Sequence, residues 1–217
     1  DVIKKLDTFD KLEKYFTIRQ GLIAYASKKD KDKYTSKEKE NKDYRKLLYG
    51  SDIKKYKVSW SGDWLAYGKH LHRPRESFIF DNNKILIQKI RNPKLKDRLV
   101  AALDNQKFIN TDGLTNIMVK NNTNQKLLYL LLGIINSKVI NYWHSFYFKN
   151  VNIQPSQISQ IPILIDENKT SQKIAELVKS LIFEKSKNDT NQSKIKEISD
   201  DIDFQVNIFF GLKDLNK

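Results

Sequence analysis

Apolar and polar positions are unevenly spread along this 217-residue chain. From Leu127 to Ile135 it reads Leu-Leu-Tyr-Leu-Leu-Leu-Gly-Ile-Ile, with no charged side chain. A helix built from such a run is apolar on every side and has to be buried. A membrane crossing takes ~20 such residues, and this run stops well short. It predicts the spine of a core. Asn136-Ser137 interrupts it, and an aromatic segment follows with Tyr142, Trp143, Phe146, Tyr147 and Phe148.

Upstream, the spacing of Leu6, Phe9, Leu12 and Phe16 predicts a short helix over Asp7–Tyr15, capped by Asp7 or Thr8. Thr17 to Ala26 reads as a strand. Ser27 to Arg45 is crowded with Lys, Asp and Glu and predicts a solvated loop. Tyr56 to Trp60 alternates as a half-buried strand does, and Trp64 to Tyr67 restarts after the turn chemistry of Ser61-Gly62-Asp63. Further strands are expected at Lys84–Ile90, Arg98–Leu103 and Thr115–Val119, separated by Asn92-Pro93 and Asp112-Gly113.

Beyond Pro162 the period changes. Ile174, Leu177, Val178, Leu181 and Ile182 mark one helical face, and Ile195, Ile198, Ile202, Val206 and Phe209 mark another. They predict a hairpin of helices, Thr170–Lys187 and Asn191–Phe210, with Gly211 as the terminal cap. The expected fold class is α+β. A mainly β domain with long basic loops packs on the buried helix over residues 1–165, and a helical extension spans 166–217. The hairpin either covers the core of its own domain or clamps that domain to another.

Charge narrows the function. Forty Lys+Arg against 26 Asp+Glu leave a net +14, which favours a polyanionic partner. A lysine-rich surface with no ligand is the competing reading. The absence of cysteine excludes disulfides, thiol catalysis and cysteine-ligated zinc. No signal peptide or membrane segment is visible, so the expectation is a cytoplasmic protein that does not engage membranes. The chain starts at Asp1 and its one methionine is Met118, which predicts a piece of a longer protein.

Catalytic patterns are missing. There is no Asn/Asp-Pro-Pro-aromatic motif to hold a target amine, and no glycine-rich turn to cradle a cofactor. Glu40-Asn41-Lys42 and Glu167-Asn168-Lys169 match half of a nuclease pattern, but in charge-rich segments where such triplets arise by chance. His70 and His72 have strand spacing for a metal, yet Lys69, Arg73 and Arg75 flank them and would repel a cation. His144 lies among aromatics and reads as a packing residue. Neither a catalytic nor a metal-binding residue is expected.

What remains is basic. Lys69, His70, His72, Arg73 and Arg75 share the loop Tyr67–Glu76. Lys89, Arg91, Lys94, Lys96 and Arg98 surround Asn92-Pro93, and Lys54, Lys55 and Lys57 form a third group. Three clusters on the loops of one β domain shift the balance toward nucleic acid.

The order of parts then resembles a known family. The parts are Ile18-Arg19-Gln20-Gly21-Leu22, Tyr44 through Gly50-Ser51-Asp52-Ile53 to Tyr56, Trp60, Pro74-Arg75, Lys84 to Ile90, Leu131 to Ser137, and Ile161-Pro162-Ile163. Together they are similar to the TaqI-type C-terminal specificity domain of adenine-N6 DNA methyltransferases in bacterial restriction-modification systems. The resemblance spans roughly Thr17 to Ile165, and the tail looks like the extension of fused restriction enzymes. It implies sequence-specific recognition of double-stranded DNA. It also implies an N-terminal methyltransferase domain on the same parent chain, which would carry S-adenosylmethionine; no cofactor is expected in this segment. Under that reading His70, His72, Arg73 and Arg75 are base-reading candidates. Lys54, Lys55, Lys69, Lys89, Arg91 and Lys94 are phosphate candidates. A protein-interaction module remains the alternative from another class. RNA binding is a third reading, which would require aromatics exposed on a sheet face.

Overall fold

The computed structural model describes residues 1–120, 124 and 126–212. The chain opens with α1 (Val2–Asp7), capped by the Asp1 carboxylate, which accepts from the Ile3 N–H at 3.0 Å. Then come β1 (Asp10–Lys11), a 3-10 turn at Leu12–Lys14 and β2 (Phe16–Gln20). The helix expected over Asp7–Tyr15 does not form, for tertiary reasons. Asp10 and Lys11 pair antiparallel with Ile163 and Pro162, while Thr8 ends α1 rather than starting a helix. Asp7 accepts from the indole N–H of Trp143 at 2.8 Å and from the Tyr147 hydroxyl.

The β region continues through α2 (Lys31–Tyr34), β3 (Thr35–Ser36), β4 (Tyr44–Leu48), β5 (Ile53–Lys54), β6 (Lys57–Val58) and β7 (Trp64–Ala66). It is completed by α3 (Phe78–Asp81), β8 (Lys84–Gln88), β9 (Ala101–Asp104), β10 (Ile109–Asn110) and β11 (Leu114–Val119). The helical part comprises α4 (Leu127–Asn136), α5 (Lys138–Tyr147), α6 (Pro155–Ile158), α7 (Lys169–Ser186) and α8 (Gln192–Phe209). The short β12 (Pro162–Ile163) lies between α6 and α7.

Three layers result. One antiparallel sheet has the order β2-β11-β8-β9, and a mixed sheet has the order β10-β4-β7-β3. On β8 the alternation separates the layers: Ile85 and Ile87 join the helical core, whereas Leu86 joins the cluster of Leu48, Ile53, Phe108 and Leu114 on the other side. A strand covered on both faces reads as a continuous apolar run, which explains Lys84-Ile-Leu-Ile. The helical spine, α4, lies between this sheet and the tail hairpin α7–α8.

The tail helices fall within a residue of their expected ends, with Asn168 and Asn191 as N-caps and Gly211 in the left-handed region at φ +62°. Ile174, Val178, Leu181, Ile202, Val206 and Phe209 are buried in the same core as α4. Gly133 makes the close approach possible: a Cβ there would lie 2.7 Å from Ile174 Cγ2 and 3.0 Å from Val178 Cγ2.

Elsewhere the tertiary context overrides the expected elements. Ser27–Arg45 is not simply a solvated loop. It carries α2 and β3, and β3 pairs with β7. The Asp63 carboxylate gathers it by pairing with Lys31 at 3.1 Å and with Lys37. Burial pushes Asp63 up, but hydrogen bonds from Lys37, Tyr49 and Lys31 outweigh it and hold the carboxyl down at about 2. The strand expected at Tyr56–Trp60 shrinks to β6, because Tyr56 turns the chain at φ +66°. The strand expected from Arg98 starts only at Ala101.

The Asn136-Ser137 break has a structural task. Asn136 accepts from the Ala101 N–H at 3.0 Å and donates to the Ala101 carbonyl at 3.0 Å, clamping edge strand β9. Ser137 caps α5 by accepting from Ile140 N–H, and Asn141 accepts from the Leu99 N–H at 2.6 Å. Asn136→Ala leaves the Ala101 N–H buried and unpaired, and is expected to cost about 1–3 kcal/mol. Urea unfolding measures that loss; a midpoint equal to the parent's would show that water or relaxation replaces the amide.

Candidate nucleic-acid interface

The basic loop Tyr67–Glu76 is held to the sheet by Gly21. At the end of β2 the chain must pass very close to the β10–β11 connection, and a Cβ on Gly21 would lie 2.2 Å from the Thr111 carbonyl oxygen. Only glycine fits there. The strand therefore ends at Gln20, short of the expected Ala26, and Leu22 bridges to Thr111 in the second layer. Ile23 then pairs antiparallel with Arg73: Arg73 N–H donates to Ile23 O at 2.9 Å, and Ile23 N–H donates back at 3.1 Å. His72 N–H donates to Ala24 O at 3.2 Å.

The middle of the loop is thus an added strand edge rather than a free excursion. Leu71 anchors it in the core, and the Tyr67 hydroxyl donates to the Arg75 carbonyl at 2.5 Å. Lys69, His72 and Arg73 are exposed, and among the described residues their side chains make no hydrogen bond. Arg75 is exposed too, with one long contact from Nε to Gly21 O at 3.4 Å. His70 is more committed: its Nε2 lies 2.9 Å from Ala66 O and its ring stacks on Tyr34 at 5.6 Å. Of the four base-reading candidates, Arg73 and His72 present free polar groups on a fixed backbone, Arg75 nearly so, and His70 least.

The same sheet end carries the second cluster. Gln20 donates to the Asp112 carbonyl at 2.9 Å, and the Asp112 carboxylate lies 3.4 Å from Lys89 Nζ. A chain of contacts therefore runs from Arg75 through Gly21, Gln20 and Asp112 to Lys89 and unites the two clusters. No feature of the sequence announced Asp112 as this junction.

The phosphate candidates divide. Lys55 is paired with Asp97 at 3.0 Å, and Lys89 is paired with Asp112. Arg91 donates to the Gln88 side chain at 3.0 Å and to Asp97 O at 2.7 Å, so it braces its own loop. Lys54, Lys69 and Lys94 are exposed, with no ion pair among the described residues. Arg98, grouped with the surface cluster from its sequence neighbours, is buried. It donates to Arg91 O at 2.6 Å and to Asn150 O, fastening the loop from beneath. Next to it His144 is also buried, with neither ring nitrogen hydrogen-bonded among the described residues.

The chain matches the family of TaqI-like C-terminal specificity domains over residues 45–163, more than half of its length, and it belongs to that family. Such domains are the specificity parts of restriction-modification systems. No curated protein matches it. Among solved structures it is similar to the Type IIL restriction-modification enzyme MmeI in complex with DNA, at 12% identity and a TM-score of 0.66. That match covers 93% of this chain and 33% of MmeI. It is also similar to a chain of a type I restriction-modification system, at 9% identity and a TM-score of 0.52, covering 94% of this chain and 44% of the other. At these identities the likeness speaks to the fold, and the chain spans less than half of either structure.

Buried His144 makes folding stability depend on acid. Burial, and then the charge of Arg98, push it down to about 4, below its ordinary 6.5. Between those values the unfolded chain binds a proton that the folded chain refuses, so stability falls as pH drops from 6.5 toward 4. The expected loss between pH 7.5 and 5 is about 2 kcal/mol. Urea unfolding of the parent and of His144→Phe over that range checks it; parallel curves for the two proteins would remove His144 as the cause.

Proposed function

We propose that this chain reads double-stranded DNA as the specificity domain of a type II adenine-N6 methyltransferase from a bacterial restriction-modification system. Its partner is the N-terminal methyltransferase domain of the same parent chain, which binds S-adenosylmethionine and flips the adenine out of the duplex. The setting is the bacterial cytoplasm. Family membership supports the reading, and the observation that carries it is the sheet end where Arg73 and Arg75 stand on a pinned backbone, linked to Lys89 through Gly21, Gln20 and Asp112. A guanidinium held this way can donate two hydrogen bonds to guanine O6 and N7, while lysines around it meet phosphates whatever the sequence. The motif that holds a target amine is absent from this chain, which fits a division of labour with another domain.

A second role is favoured by a separate observation. Val2, Val139, Tyr142 and Phe204 line one side of a groove of about 390 Å³ whose other side is Lys138, paired with Asp200 and Asp203; Tyr142 is 58% and Phe204 45% exposed. Two exposed aromatics beside charged groups suit the mixed apolar and polar character of a contact between domains. In this account the methyltransferase domain is the partner.

Arg73→Ala is expected to relax specificity at one base pair at a cost of about 1–3 kcal/mol on the preferred duplex, whereas Lys94→Ala weakens all sequences alike. Titrations on preferred and scrambled duplexes compare the two. Equal losses on both duplexes for Arg73→Ala would remove it from the reading residues.

A further inference from the structure

We propose that Lys54, Lys57 and Lys185 form one binding site for a DNA backbone phosphodiester, straddling the β domain and its helical tail. The inference rests on the DNA-binding reading above and extends it to the tail, which otherwise only covers the core.

The first observation is a strained turn. β5 and β6 form a hairpin whose closing pair is Lys54 opposite Lys57. Residues directly opposite on antiparallel strands point to the same face, and like charges there are destabilising. The two-residue connection, Lys55-Tyr56, needs the left-handed region that Asn or Gly usually supplies. Here Tyr56 adopts it at φ +66°, a strained conformation for a bulky side chain, with its ring buried. The turn is held by the core, where the Tyr56 ring is buried and its N–H donates to the Ala101 carbonyl at 2.9 Å, so the hairpin keeps Lys54 and Lys57 side by side despite their like charge.

The second observation comes from α7. Lys185, in its last turn, donates to the Lys55 carbonyl at 2.9 Å, and its ammonium lies 5.9 Å from the Tyr56 ring. Its remaining N–H groups are free to meet an anion. Nearby acids are occupied: Asp97 pairs with Lys55, and Glu184 is held by Lys187 at 2.9 Å and Lys194 at 2.7 Å. Among the described residues Lys54, Lys57 and Lys185 have no carboxylate within ion-pair distance; Asp97 offsets the Lys185 charge only in part and is itself paired with Lys55. Burial, and then Lys55 and Lys57, lower the Lys185 ammonium below its ordinary value. A phosphate would relieve that imbalance.

The test is the salt dependence of duplex binding by the 217-residue chain, read by anisotropy for the parent, Lys57→Gln, Lys185→Gln and the double variant. Each lost phosphate contact lowers the slope of log affinity against log salt by about 0.9. Because the three lysines share one phosphate, each single variant should show part of that change and the double variant no more than about 0.9 in all, on preferred and scrambled duplexes alike. Lys179→Gln removes the same charge from the same helix near Tyr129 and should leave the slope unchanged. Lys57 is exposed on the hairpin, so its variant tests the site even if Lys185→Gln unfolds the chain. A parental slope in Lys57→Gln, or an equal loss in Lys179→Gln, overturns the site while leaving the DNA-binding reading intact. A flat salt dependence in the parent overturns both.

Discussion

One side-chain amide joins the helical layer to the sheet. Asn136 sits at the end of an otherwise apolar helix and takes both backbone groups of Ala101 on edge strand β9. An edge strand left bare is a template for wrong pairing, and covering it is a general requirement of sheets. Here the cover is the spine itself. Because α4 has no polar face, its burial requires a sheet below and the α7–α8 hairpin above, and Gly133 lets the hairpin approach closely. The break at Asn136-Ser137 releases the chain into α5, whose Asn141 holds Leu99, two residues before Ala101. The approach to β9 is thus fixed from the helical side, and the loop before β9 carries Arg91, Lys94 and Lys96.

Rigidity of this kind is what the proposed reading surface needs. Reading a base edge requires a side chain whose backbone does not wander. Gly21 lets the chain step from one layer to the other at the end of β2, and the step creates the edge on which Arg73 is pinned. Arg98 performs the same service from below for the neighbouring loop. Buried cations thus fix the loops, and exposed ones stand on them. The +14 net charge alone could not distinguish the two kinds.

Long, strongly patterned segments were legible in the sequence. The all-apolar α4, the two amphipathic tail helices and the Lys84–Gln88 strand carry their periods plainly. Their neighbours, and so their layers, followed from burial. Short elements were not legible, because pairing decided them: Asp10-Lys11 became a strand by meeting Pro162-Ile163, and Thr35-Ser36 by meeting β7. At the interface, sequence grouped cations by proximity along the chain. It could not tell that Arg98 points inward, that Lys55 and Lys89 have acids of their own, or that Lys185 reaches the hairpin from 130 residues away. The Asn-Ser break was visible as a break, but its grip on Ala101 was not, since a side-chain amide's partner lies outside any local pattern.

The central claim, that this fold reads DNA sequence, is tested most directly by binding of the chain to a labelled random duplex pool across a salt series, with sequencing of the bound fraction. The account predicts affinity that falls steeply with salt and a short enriched motif in what is bound. Absence of binding at low salt, or salt-dependent binding with no enriched motif, would contradict it.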